Sequence, residues 1–160
     1  SKLIDIFSEF IIKDNNNWIL RIVGEGEQYK LLEEKIKEKK LQGKVILAGK
    51  IKDIESEYQK SDICLMTSKY EGLPLALLEA KSYSIPCIAF DCKTGPKEII
   101  SNNKDGFVIE EGDDADFIKK MAMLSEDDAL FYQMSRNTET VSKKFSTDRI
   151  KNKWLEVIKD

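Results

Sequence analysis

Glu71 and Glu79 are separated by seven residues, and the stretch between them, Gly72-Leu73-Pro74-Leu75-Ala76-Leu77-Leu78, reads as a loop running into a helix. Proline is well suited to the first helical position, because its missing N–H is one that a helix start leaves unpaired anyway. With Pro74 there, the amides of Leu75 and Ala76 point out of the helix N-terminus. Such an end binds anions through backbone N–H groups and the positive end of the helix dipole. Side chains in a helix tilt toward its N-terminus, so the Glu79 carboxylate leans back toward the same mouth. Glu71 faces that mouth from the preceding loop. Two carboxylates on either side of a phosphate site suit a ligand with hydroxyl-rich ends and an anionic middle, since carboxylates accept strong charge-assisted bonds from vicinal diols. A nucleotide diphosphate sugar has this layout of ribose, pyrophosphate and hexose.

Composition narrows the remaining chemistry. The sequence holds no histidine, which removes the usual general base, the Ser-His-Asp and Cys-His systems and most catalytic zinc sites. Its 26 basic and 29 acidic residues leave a net charge of −3, not the basic stripe expected of a nucleic-acid binder. Cys64, Cys87 and Cys92 are an odd set in or beside apolar stretches, read as small buried hydrophobes in a reducing cytoplasm. No apolar run approaches the roughly 18 residues of a membrane span, and Ser1-Lys2-Leu3-Ile4-Asp5 does not resemble a signal peptide.

The elements that must position these groups alternate along 160 residues, 41% of them hydrophobic. Leu3, Ile4, Phe7, Phe10 and Ile11 have helical spacing, followed by a polar turn at residues 14–17. Short apolar runs at 18–23, 44–48, 63–66, 87–90 and 106–109 read as strands. Helical patterns fall between them at 29–41, 54–60, 74–84 and 96–101, and from residue 113 three helices are expected, ending at Asp160. Buried strands alternating with amphipathic helices predict one α/β domain, a doubly wound parallel sheet with helices on both faces. Ligands of such sheets bind beyond the carboxyl ends of the strands. The loops Gly24–Gly26, Gly49–Asp53, Thr67–Pro74 and Asp91–Pro96 are therefore the ones to carry a site.

At these residues the sequence resembles the retaining glycosyltransferases of GT-B architecture, the GT4-type "group 1" family. Glu71 and Glu79 match its E-x7-E motif. Ile22-Val23-Gly24-Glu25-Gly26 is similar to its strand and G-x-G turn, Val45 to Gly49 to "V-x-F-x-G", and Ser61 to Ser68 to "A-D-x-x-x-x-P-S". Glu79-Ala80 through Ala89 resembles "E-A-x-A-x-G-x-P-V-V-A", Gly95 to Ile100 "G-G-x-x-E-I-I", and Asp105 to Ile109 "T-G-x-L-V". These matches run in the family's order over nearly the whole chain.

The resemblance implies a Rossmann-like sheet, the C-terminal donor-binding half of a two-domain enzyme. Residues 1–160 would be that half, and the acceptor-binding N-terminal domain would lie outside them. It implies that Glu71 touches the donor sugar and is the catalytic carboxylate. The loop and helix amides of Gly72, Leu73, Pro74, Leu75 and Ala76 would meet sugar and phosphates, and Glu79 would hold the ribose. Lys50 and Ile51 would carry the base through backbone contacts, with Gly24 and Gly26 in the facing turn. The family's Arg and Lys for the pyrophosphate are expected upstream of the first helix. Pro96 replaces a glycine of the G-G turn, and Thr94-Gly95-Pro96-Lys97-Glu98 is similar to members using UDP-galactose or UDP-N-acetylhexosamines. No cofactor and no metal are implied, only a nucleotide-sugar substrate, here a UDP-hexose or UDP-N-acetylhexosamine. The expected partners are that donor and a saccharide or lipid-linked acceptor. Nucleic acid is not among them, and the expected location is the cytoplasm, with at most a peripheral place on the inner membrane face.

Blander readings stand beside these. Gly24-Glu25-Gly26 lacks the third glycine of a dinucleotide fingerprint and can be an ordinary tight turn. Lys35, Lys37, Lys39, Lys40 and Lys44 are interleaved with Glu33, Glu34 and Glu38, as on a solvated helix face rather than a membrane patch. Ile150, Trp154, Leu155 and Ile158 form an apolar stripe that either packs in the core or reaches toward the other domain. Two rival functions remain at this level: a sugar-nucleotide epimerase of the same architecture, and a non-catalytic flavodoxin-like interaction module.

Overall fold

Aspartates open three of the helices. The side chains of Asp53, Asp113 and Asp127 each accept a hydrogen bond from a backbone amide three residues on, at 3.1, 2.9 and 2.9 Å, which satisfies donors that a helix start leaves free. The computed structural model describes residues 2–14 and 17–158, so Asn15 and Asn16 of the expected first turn and the expected end at Asp160 lie outside the described residues. Helix α1 (Lys2–Asp14) leads to β1 (Leu20–Val23), α2 (Tyr29–Glu38), β2 (Val45–Gly49), α3 (Ile54–Gln59), β3 (Cys64–Met66), α4 (Leu75–Ser82), β4 (Cys87–Asp91), α5 (Pro96–Ile99) and β5 (Gly106–Glu110). Four helices follow, not the three expected: α6 (Asp114–Glu126), α7 (Asp128–Asn137), α8 (Glu139–Lys144) and α9 (Thr147–Ile158). The extra break is at Asp127, which ends α6 and caps α7 at once.

All strand pairs are parallel, and β4 shows why both faces must be covered. Its alternate residues enter different cores. Ile88 and Phe90 pack with Phe107, Phe117 and the α1 residues Ile4, Phe7 and Phe10. Cys87 and Ala89 pack with Leu77 and Ala80 of α4 and Ile99 of α5. Period-two alternation in a strand buried on both sides produces two cores. The result is the Rossmann-like, doubly wound α/β architecture anticipated from the alternation.

The sheet is not continuous: β1 pairs with β2, and β3, β4 and β5 pair in that order, but no ladder joins β1 to β3 among the described residues. A cleft of about 670 Å³ separates their edges.

The apolar stripe of α9 is not core. Trp154 is 63% exposed, and Ile150, Leu155 and Ile158 are also open to solvent. The lysines of α2 are partly spent on a clamp. Lys35 and the following Lys39 both reach Asp5 of α1, at 2.5 and 3.1 Å, while Lys37 pairs with Glu33 at 3.9 Å.

Candidate functional site

Parallel strands place the loops after β1, β2, β3 and β4 at one edge of the molecule, and the loop after β3 with helix α4 forms its centre. Pro74 proves to be the residue that caps α4 rather than its first helical residue: its φ of −73° suits proline, but its ψ of 87° is extended. Its carbonyl accepts from the Leu77 amide at 3.0 Å. Leu75 and Ala76 then occupy the first turn, where amides have no intrahelical acceptor, and both residues are exposed. This is the anion-binding geometry expected, shifted by one residue.

The loop carrying Glu71 and Gly72 is fastened from its neighbour. Thr94 Oγ1 donates to the Glu71 carbonyl at 2.5 Å. Gly95, at φ +105°, packs so closely that a Cβ there would lie 2.6 Å from Pro74 Cδ and 3.2 Å from the Gly72 carbonyl oxygen. Only glycine tolerates both that backbone and that approach. Pro96 begins α5 directly behind it and is buried. Thus the Pro96 that departs from the family's G-G turn sits one residue beyond the contact that needs glycine. Lys97 of the same segment is paired with Asp91 at the end of β4.

Glu79 is exposed on α4 and is held by a residue that sequence reasoning missed. Tyr58 of α3 donates its hydroxyl to Glu79 Oε2 at 2.8 Å and lies 3.5 Å from the Ala76 carbonyl oxygen. Its ring stacks on Tyr83, with centroids 5.4 Å apart. Burial pushes the Tyr58 phenol up, and the neighbouring carboxylate adds to it, so the hydroxyl is a dependable donor at neutral pH. A carboxylate has about four lone-pair positions, and one hydrogen bond on Oε2 leaves Oε1 free for a diol. Nothing in the sequence marks Tyr58, because it and its partner are 21 positions apart and meet only when α3 packs against α4.

Below the helix, Lys81 and Asp105 form a buried ion pair. Lys81 Nζ donates to the Asp105 carboxylate at 2.5 Å and to its backbone carbonyl at 2.7 Å, and the Ser101 amide donates to the same carboxylate at 3.0 Å. This pins α4 to the turn before β5, two residues past Glu79.

Other expected site residues lie on the loops after β1 and β2. Gly24 and Gly26 line a separate hollow of about 280 Å³ with Tyr29 and Leu32, where Gly24, at φ +128°, donates to the Gly49 carbonyl at 2.8 Å. Lys50 is exposed and Ile51 half-buried on the loop after β2. The large cleft between β1 and β3 is lined by Tyr58 but by neither Glu71 nor Glu79. The coherent unit is therefore Glu71 to Glu79, with Tyr58, Thr94 and Gly95 supporting it.

Known proteins share this fold over most of the chain. TarM superposes with a TM-score of 0.91 at 31% identity, covering 99% of this chain and 32% of its own. A TarM mutant solved with fondaparinux, alpha-GlcNAc-glycerol and UDP matches with a TM-score of 0.92. In sequence, the amylovoran biosynthesis glycosyltransferase AmsD of Erwinia amylovora is 36% identical over 157 residues, 98% of this chain and 43% of the relative. The poly(ribitol-phosphate) alpha-N-acetylglucosaminyltransferase of Staphylococcus aureus is 32% identical over 97% of this chain and 32% of the relative. The chain thus spans less than half the length of these relatives. The model of the family described as "Glycosyl transferases group 1" matches residues 1–141, which include the whole Glu71–Glu79 unit and every strand. With the fold, the order of motifs and the family match all in agreement, the chain belongs to the group 1 glycosyl transferases.

Proposed function

We propose that residues 1–160 are the donor-binding domain of a retaining glycosyltransferase that moves a hexosyl group from a nucleotide sugar to a saccharide or lipid-linked acceptor in glycan synthesis. A separate N-terminal domain would hold the acceptor. The observation that carries this reading is the open first turn of α4, flanked by the Glu71 loop and by a Glu79 carboxylate that Tyr58 orients. In this reading the pyrophosphate takes the Leu75 and Ala76 amides, Glu79 accepts from the ribose diol, and the hexose extends toward Glu71 and Gly72. Gly24, Gly26, Lys50 and Ile51 form the outer wall on the nucleotide side. UDP is the favoured carrier, in keeping with its presence in the TarM mutant complex and with the 31% identity to that protein.

Charge on the leaving diphosphate is met by fixed backbone dipoles and by cations from upstream polypeptide, which needs no metal. A full-length enzyme should accordingly keep its transfer activity in EDTA. Complete loss, restored by manganese, would overturn this part of the reading.

Saturation-transfer NMR with UDP tests the site directly. Without upstream cations, the 1–160 chain should bind it in the high-micromolar to millimolar range, about −4 to −6 kcal/mol. Glu79→Ala should weaken UDP by roughly 1–3 kcal/mol and 2′-deoxy-UDP by much less, since one partner hydroxyl is already gone. No contact with uridine, adenosine or guanosine diphosphates would sink the donor-domain reading and favour an interaction module.

A further inference from the structure

Cys64 of β3 and Cys87 of β4 are register partners in the parallel ladder. Partners in a ladder put their side chains on the same face of the sheet. Here that face is the second core, where Cys87 is buried and Cys64 is half-buried at the border. Neighbouring strands lie about 4.8 Å apart, inside the roughly 4.4–6.8 Å that a disulfide spans between its Cα atoms. The two thiols are hydrogen-bonded to each other. The third cysteine, Cys92, instead turns its thiol to the Thr94 carbonyl at 3.3 Å.

The surroundings divide the pair into an attacking and a resolving sulfur. The hydrogen bond from the Cys87 thiol holds Cys64 below its ordinary value, helped by the Lys81 ammonium and opposed by burial. Burial pushes the Cys87 thiol up, and the neighbouring Cys64 sulfur adds to it, against the pull of Lys81. A thiolate is the reactive form of cysteine, so Cys64 is the sulfur that an oxidant meets first.

We propose that Cys64 and Cys87 are a reversible oxidation site, joined by hydrogen peroxide into a disulfide beneath α4. The Cys64 thiolate attacks one peroxide oxygen and breaks the O–O bond, giving a sulfenic acid and hydroxide. The Cys87 sulfur then gives up its proton and displaces the sulfenic oxygen, which leaves as water as the S–S bond forms. Two thiols and one peroxide thus yield one disulfide and two waters. Opposed residues in a parallel ladder hold their Cβ atoms near the strand spacing, about 1 Å wider than a disulfide prefers. Closing the bond therefore draws β3 and β4 together, and the strain makes it easy to reduce.

That movement reaches the site through two neighbours. Cys87 Sγ lies 3.5 Å from the Ile85 carbonyl oxygen and 3.9 Å from that of Leu77 in α4. Tyr58, which holds Glu79, packs against the same cluster as Cys64. Oxidation accordingly disturbs the first turn of α4 and the support of Glu79 together. The effect on UDP rests on the donor reading, whereas the disulfide does not.

Peptide mapping of the full-length protein after peroxide treatment tests it, with free thiols blocked by N-ethylmaleimide and cleavage by trypsin and chymotrypsin. Cutting after Phe90 separates Cys87 from Cys92. The expected product joins the Cys64 and Cys87 peptides and disappears with dithiothreitol. In Cys87→Ser, dimedone should trap Cys64 as the sulfenic acid. UDP should bind the oxidised protein at least threefold more weakly and recover on reduction, while peroxide leaves its affinity for Cys64→Ser unchanged. No linked peptide, a link through Cys92, or Cys64 carried to a sulfinic acid beside a free Cys87 would overturn the proposal. A linked peptide with unchanged UDP affinity would overturn the effect on the site. A linked peptide with no UDP binding even in the reduced protein would support the oxidation site and count against the donor reading alone.

Discussion

At the scale of single residues, Glu71 and Glu79 differ in what holds them. Glu79 is fixed through its side chain by Tyr58, whereas Glu71 is fixed through its carbonyl by Thr94 and keeps a half-buried carboxylate on the loop. A carboxylate placed near an anomeric centre steadies the positive charge that grows there, and an amide does not. In a full-length enzyme, Glu71→Gln should leave UDP affinity within about 0.5 kcal/mol while costing transfer about 2–4 kcal/mol of transition-state stabilisation. If UDP binding collapses and turnover at saturating donor survives, the two roles have been exchanged. Tyr58→Phe keeps the ring against Tyr83 and removes only the hydroxyl. It should weaken UDP by about 0.5–1.5 kcal/mol, the net value of one hydrogen bond, and spare 2′-deoxy-UDP. Equal losses for both ligands would make Tyr58 a packing residue alone.

Among the elements, α4 bears the most demands, because it offers its N-terminus to solvent while its other face is buried. Leu77 and Ala80 are fully buried, and Lys81 is neutralised by Asp105 where water cannot reach. Replacing Asp105 by Leu would take the carboxylate away from a buried lysine charge, at a cost of about 3–5 kcal/mol. The double change Asp105→Leu with Lys81→Met should recover much of that, since removing both charges also removes their desolvation. Urea unfolding of the three proteins decides it, and a single variant within about 1 kcal/mol of wild type would contradict the role given to the pair. The spacing of Glu71 and Glu79 and, to within one residue, the start of α4 at Pro74 were legible in the sequence because capping and helical period are local rules. Tyr58, Thr94 and the Gly95–Pro74 contact were not, because each meets its partner only after different βα units pack side by side.

For the molecule as a whole, two helices distant from the site are tied by Asp5, with Lys35 and Lys39 around it. Burial pushes the Asp5 carboxyl up, but hydrogen bonds and charge attraction from the two lysines outweigh it and hold the group below its ordinary value. A carboxylate with a depressed folded pKa adds stability that is present above its unfolded pKa of about 3.9 and is lost as pH falls through the folded value. The gap in melting temperature between wild type and Asp5→Asn should therefore be widest above about pH 5 and shrink toward pH 3. A gap that stays constant across that range would mean the clamp acts through shape rather than charge.

Sequence alone was enough for the α/β class, the order of elements, the E-x7-E unit and the family, because these depend on periodicity, capping and motif spacing, all of which are read along the chain. Tertiary structure decided which groups act together. It attached Tyr58 to Glu79, separated Gly24 and Gly26 into their own hollow, exposed the α9 stripe and opened the sheet between β1 and β3. The reason is physical: a strand's period states that it is buried on both faces but not which strand lies beside it. That choice depends on which backbone edges meet, and at β1 and β3 the edges face a space that residues 2–14 and 17–158 do not fill.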